Sequence, residues 1–256
     1  MHTSSRAAST MALMARLHVG LSGYSYKEWQ GEGRFFPPGL KQSEFLGFYA
    51  ERYRAVEMDG TWYRMPGEDA VRQWLEATPD GFQFSFKMHR RVTHMARLKP
   101  ESLDSVIFLL ERLKPVARAG KLGPFLIQLP PNFRRDDERL DTFLKALPAD
   151  AEGTPLQWAV EFRHSSWHER EVEEILRSQG VAWVAADTDE SDAQRRDTAS
   201  FSYVRLRKTE YDADALDEWS QYLSRLQKDA FVYCKHEDDE SPWEWADALL
   251  QLQQRG

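Results

Sequence analysis

Cysteine is almost absent from this chain: Cys234 is the only one in 256 residues. No intramolecular disulfide can form and no cysteine-based metal site can be assembled, so a reducing, cytoplasmic setting is expected. Long apolar runs are also missing. No stretch approaches the roughly 18 residues of a membrane span, and Met1 to Met11 hold no apolar core long enough for a secretory signal. Residues 1–16, rich in Ser and Ala, are expected to form a disordered extension, with Met11 or Met14 as alternative starts, and residues 17–256 a single domain. Positive charge is not in excess. With 34 Lys and Arg against 41 Asp and Glu, the net charge of -7 gives no global field for nucleic acid or an anionic membrane, although a local basic patch stays open. Nucleotide and metal signatures are lacking as well: Gly20-x-x-Gly23 has neither Rossmann nor Walker spacing, and no His-Glu-x-x-His run occurs.

What the chain does have is alternation. Eight strand-like segments fall at about 17–22, 54–59, 82–88, 124–129, 157–163, 181–187, 200–206 and 230–236. Between most of them apolar residues recur three or four apart, as in Ile107-Leu110-Leu113, Val172-Ile175-Leu176 and Leu216-Trp219-Leu223. Strand and helix in alternation predict βα units on a parallel sheet, and eight such units predict an α/β fold of the closed (β/α)8 TIM type. The stretch from Asp187 to Thr198, rich in Asp, Glu, Ser and Arg, reads as a mobile loop after the sixth strand.

Charges interrupt these strands. A charge in a strand interior is costly unless paired or solvated, so the strands are expected to line a polar cavity. Period-two alternation sends Phe82, Phe84 and Phe86 to the helix side and Gln83, Ser85 and Lys87 inward. The same phase puts Glu57, then Ala159, Glu161 and Arg163, then Tyr203 and Arg205 in the lumen, while Cys234 faces the helices. Most charges lie late in their strands, at the end of a barrel where active sites are built. The expected constellation is Glu57, Lys87, Gln128, Glu161, Arg163, Asp187, Arg205 and Lys235.

Several ordered motifs then point to a family. Gly20-Leu21-Ser22-Gly23-Tyr24-Ser25-Tyr26-Lys27-Glu28-Trp29, Thr61-Trp62-Tyr63-Arg64, Phe84-Ser85-Phe86-Lys87 with Thr93-His94, Gln128-Leu129-Pro130-Pro131-Asn132-Phe133 and Glu161-Phe162-Arg163-His164-Ser165-Ser166-Trp167 closely resemble the YecE-like family, also called domain of unknown function 72. The resemblance covers roughly residues 17 to 250. It implies a TIM-type barrel and brings no established reaction. Two places depart from the family pattern: Arg205-Leu206-Arg207-Lys208 stands where relatives usually have Arg-Leu-His-Gly, and His236-Glu237-Asp238-Asp239 where they have paired Asn.

The residues themselves suggest acid/base chemistry on a small anionic substrate. Glu161, Asp187, Glu57 and His164 are the candidate acids and bases, and Lys87, Arg163, Arg205, Lys235, Gln128 and Tyr24 the candidate substrate-binding groups. Lys87 is expected to bind an anion or pair with Glu57 rather than form a Schiff base, because neighbouring carboxylates would keep it protonated. Four luminal cations against three anions leave a net +1, which disfavours a divalent metal, and no cofactor is expected. Hydrolysis, isomerisation and lyase chemistry all fit. A non-catalytic module binding a ligand or nucleic-acid end and a metal-dependent phosphoesterase are the alternatives, and the oligomeric state stays open.

Overall fold

The computed structural model describes residues 15–235 and 242–255. Nearly all of the expected N-terminal extension and the His236–Asp239 departure lie outside the described residues. Eight parallel strands, β1 (Leu17–Ser22), β2 (Ala55–Met58), β3 (Gln83–Lys87), β4 (Leu122–Gln128), β5 (Trp158–Glu161), β6 (Ala182–Asp187), β7 (Phe201–Leu206) and β8 (Asp229–Cys234), close into a barrel in which β1 pairs with both β2 and β8. The helices are α1 (Phe45–Arg52), α2 (Glu68–Glu76), α3 (Leu103–Arg118), α4 (Asp137–Lys145), α5 (Arg170–Ser178), α6 (Ala213–Ser224) and α7 (Pro242–Arg255). Each expected strand is present within about two residues, the usual uncertainty of element ends.

No helix joins β6 to β7. The segment 188–200 is irregular, and its second half is pinned rather than loose. Thr198 Oγ1 donates to the Val181 carbonyl and accepts from the Trp183 amide at 2.8 Å, while the Arg196 guanidinium lies 4.5 Å over the Trp183 ring. A cation and a hydroxyl thus cover the sheet face that a helix covers elsewhere.

Alternation divides the barrel into two cores. Phe84, Phe86, Val160, Val204, Leu206 and Cys234 pack outward under the helices, all fully buried. Ala55, Leu126, Ala159, Ala182, Val184, Phe201, Tyr203, Phe231 and Tyr233 face inward. The lumen floor is aromatic: His18 stacks on Phe231 at 4.5 Å, and Phe201 meets Phe231 edge-on at 6.1 Å. Barrel interiors of this size are filled by side chains, so only the upper layer is left for polar groups.

One detail of the wall comes from Gly20. A Cβ there would sit 1.9 Å from the Ala55 carbonyl oxygen and 2.8 Å from the Tyr49 hydroxyl. Without it, the hydroxyl from α1 enters between β1 and β2, accepting from the Leu21 amide at 2.8 Å and donating to the Ala55 carbonyl at 2.7 Å. Gly23, at φ 88°, then turns the chain out of β1 as only glycine does readily.

Candidate active site

The upper lumen is organised around Arg205, whose side chain is only 1% exposed. Its guanidinium donates to Glu57 Oε1 at 2.8 Å and to Glu161 Oε2 at 2.6 Å, bridging two carboxylates from opposite walls. Each carboxylate has further donors. Glu57 accepts from the Ser22 hydroxyl and from Tyr203 at 2.7 Å; Glu161 accepts from Gln128 at 2.7 Å and from Arg163 Nε at 2.8 Å. Burial alone would raise both carboxyl pKa values, but Arg205 and these donors outweigh it and hold both below the ordinary range. They are fixed anions, poorly suited to giving up a proton. One donor is left over: Arg205 Nε is buried without a partner among the described residues.

Beside this saturated layer stands Lys87, half-buried at the end of β3. Its ammonium has no hydrogen bond or ion pair to any described residue and lies 5.2 Å over the Trp62 ring. The expected pairing with Glu57 does not occur, because Arg205, Ser22 and Tyr203 already occupy that carboxylate. Desolvation, reinforced by the Arg205 charge and only partly opposed by Glu57 and Glu161, lowers its pKa to about 8. Lys121 shows the contrast: buried just before β4, it donates to the Thr78 carbonyl at 2.7 Å, Thr78 Oγ1 at 3.1 Å and the Leu75 carbonyl at 3.2 Å.

The same indole is shared by His94, whose ring meets Trp62 edge-on at 5.0 Å while Nδ1 bonds Thr93 Oγ1 at 2.8 Å. Burial, then the charges of Lys87 and Arg97, lower the His94 pKa. His94 sits in a π-helical turn, Arg91–Met95, followed by Arg97 and Leu98 at φ 51° and 63°. Such backbone costs energy and clusters at functional sites. Lys235 closes the ring of cations, 3.5 Å from Asp59, which also accepts from Tyr26.

Period-two reading thus brings Glu57, Lys87, Gln128, Glu161, Arg163 and Arg205 together as expected. Asp187 is a correction. Ala182, Val184 and Ala186 face inward, so Asp187 turns to the helix side, where its carboxylate accepts from Tyr211 at 3.0 Å and Trp219 Nε1 at 3.3 Å and pairs with Lys208 at 3.3 Å. Tyr24 is half-buried on the rim: burial raises its pKa, a hydrogen bond with Trp74 of α2 opposes this, and Asp59 adds to it. His164 does not lie over the centre. Its Nδ1 accepts the Ser166 amide at 3.1 Å, capping the 165–167 turn, and its ring lines a cleft of about 600 Å³ with Glu161, Arg163, His168 and Ala186. The irregular segment after β6 forms the far wall of that cleft. Ser22, Asp59 and His94 are site residues that the sequence pattern did not single out: Ser22 ends β1 and Asp59 directly follows β2, whereas His94 lies in the Arg91–Met95 turn, away from any strand end. Among the described residues, no three His, Cys, Asp or Glu converge as a metal site would require, and no helix is long and apolar enough to cross a membrane.

Comparison with known proteins agrees with this architecture. The profile of the family described as "Protein of unknown function DUF72" matches residues 18–256. The chain is 30% identical over 166 residues to the UPF0759 protein YecE of Escherichia coli, a match covering 64% of this chain and 55% of that protein. It is 26% identical over 184 residues to the UPF0759 protein YunF of Bacillus subtilis, covering 68% and 61%. The matches therefore span little more than half the length of these curated relatives. Among solved structures, a DUF72 family protein from Thermotoga maritima superposes with a TM-score of 0.76 at 25% identity, over 93% of this chain and 98% of that one.

Proposed function

The chain belongs to the DUF72 family, a membership that carries no reaction with it, and from the chemistry of the barrel mouth we propose that it is an enzyme acting on a small phosphate- or carboxylate-bearing molecule. Lys87 is the proton-exchanging group in this reading, assisted by His94, and Arg163 and Lys235 contribute positive potential for the anion. Glu57, Glu161 and Arg205 are positioning residues: their mutual bonds fix the height and charge of the layer on which the substrate rests. The observation that carries the proposal is the Lys87 ammonium, without a partner among the described residues, beside carboxylates that are already engaged. A cation left without an anion in a partly desolvated mouth is an anion site in waiting, and a group titrating near 8 exchanges protons at neutral pH. The lone buried Cys234 fits the cytoplasmic location that belongs to the same proposal.

A thermal-shift titration with inorganic phosphate tests it. A ligand that binds only the folded state stabilises by RT ln(1 + [L]/Kd). The wild-type protein should gain stability with phosphate, and Lys87→Met and Arg163→Ala should each reduce the gain. Equal gains in all three proteins would move the anion away from the mouth.

A further inference from the structure

We infer that Lys87 is a Schiff-base nucleophile, and that the anionic substrate carries an aldehyde or ketone which its Nζ attacks. The inference rests on the anion-site reading and narrows it to carbonyl compounds. Three features of the mouth support it. The ammonium has no carboxylate, hydroxyl or carbonyl partner among the described residues, so the lone pair can be freed without breaking a hydrogen bond. Among the described residues, each carboxylate that faces the ammonium is engaged elsewhere: Glu57 and Glu161 by Arg205 and their other donors, Asp59 by Lys235 and Tyr26. Beside the engaged Glu57 and Glu161, the groups around Nζ are cations and an aromatic face: Arg205 from β7, Lys235 following β8, His94 from the turn after β3 and the Trp62 ring. Cationic neighbours and desolvation are what activate an amine towards carbonyls.

The consequence for reactivity is large. With a pKa of about 8, roughly a quarter of the molecules carry a neutral Lys87 at pH 7.5, against about one in a thousand for an ordinary lysine. In the step itself, the lone pair of the neutral amine forms the N–C bond, the carbonyl π pair moves to oxygen, and one of the two nitrogen protons passes to that oxygen. The carbinolamine then loses that oxygen as water after a second protonation, and the nitrogen keeps one hydrogen as a protonated imine. Neutral amine, carbonyl and one proton become iminium and water, with no oxidant or reductant. His94, against the same indole, is placed to relay the protons. The iminium restores a positive charge at this nitrogen once water has left.

Borohydride trapping tests the inference. The full chain is incubated at pH 8 with glyceraldehyde 3-phosphate or neutral glyceraldehyde, reduced, and mapped by peptide mass spectrometry. The expected result is a single phosphate-bearing adduct on Lys87, with about tenfold less from the neutral aldehyde, consistent with a charge-assisted contact, and no dominant adduct in Lys87→Arg. Mapping the wild-type protein locates the label even if the variant fails to fold. Adducts spread over surface lysines, with Lys87 unmodified, would overturn the inference. If phosphate still stabilises the protein through Lys87 and Arg163 in that case, the carbonyl chemistry falls and the anion site survives; loss of both removes the underlying reading.

Discussion

The Arg205 layer and the Lys87 position share one lumen, yet they resolve the cost of buried charge in opposite ways. Arg205 is enclosed by two carboxylates whose remaining lone pairs are met by Ser22, Tyr203, Gln128 and Arg163. Lys87 has an indole face and no acceptor among the described residues. A buried network gains stability as its members are satisfied, and in the Arg205 layer Nε is the one guanidinium nitrogen left without a partner among the described residues. The first arrangement therefore holds the barrel together, and the second stores unfavourable energy where a ligand can release it.

The largest effect should come from breaking the saturated layer. Arg205→Met strands two buried carboxylates and should cost about 3–5 kcal/mol in urea unfolding at pH 7. The sign with pH follows from the carboxyls being held below their unfolded value: their contribution is present above pH 4.5 and is lost as pH falls through the folded values. The gap between wild type and variant should therefore shrink in acid. A cost under about 1 kcal/mol would mean that the Arg205 network contributes no more than an exposed ion pair does.

Next in size is Lys87→Met, which removes an unpaired, desolvated charge and should stabilise the protein at pH 7 by roughly 1–2 kcal/mol. Because the folded pKa, about 8, lies below the unfolded one, the unfolded chain binds more protons above pH 8. Wild-type stability should thus rise from pH 8 towards pH 10 through this group, and the rise should be missing in the variant. A destabilised Lys87→Met with an unchanged pH profile would assign Lys87 to the structural layer.

Smaller still is Trp62→Leu. An indole under an ammonium contributes about 0.5–2 kcal/mol to the charged form, so its removal should push the Lys87 titration lower, read by NMR of the dimethylated lysine. An upward shift would contradict the geometry. The smallest effect is expected at Asp187→Asn, on the helix side of the wall: about 1 kcal/mol of stability from weakened hydrogen bonds, and an unaltered response to phosphate. Loss of that response would return Asp187 to the site.

These residues also mark how far the sequence could be read. Strand count and phase were legible because Phe82, Phe84 and Phe86, or Trp158, Val160 and Phe162, leave one possible inward face. In β6 the neighbours Ala185 and Ala186 are equally small, so the pattern carried no phase and Asp187 was sent the wrong way. Partners were less legible than faces. That Arg205 takes both Glu57 and Glu161, leaving Lys87 with none among the described residues, depends on heights across the lumen that a linear pattern does not encode. The Schiff-base option was disfavoured from sequence on the assumption that nearby carboxylates would be free to hold the proton. The helix-free crossing after β6 was read correctly as a loop, but its anchoring by Thr198 and Arg196 was not.

The Tyr49 hydroxyl between β1 and β2 gives the barrel a property of a different kind, that of assembly order. There the rung between Leu21 and Ala55 is completed by a side chain from α1 rather than by backbone alone. Drawing that seam shut and seating the helix are consequently one event, since either without the other leaves a buried amide and a buried carbonyl unmet. In amide-exchange terms, the Leu21 proton should report helix undocking as much as strand separation, making one tyrosine oxygen a clock for closure of the whole ring.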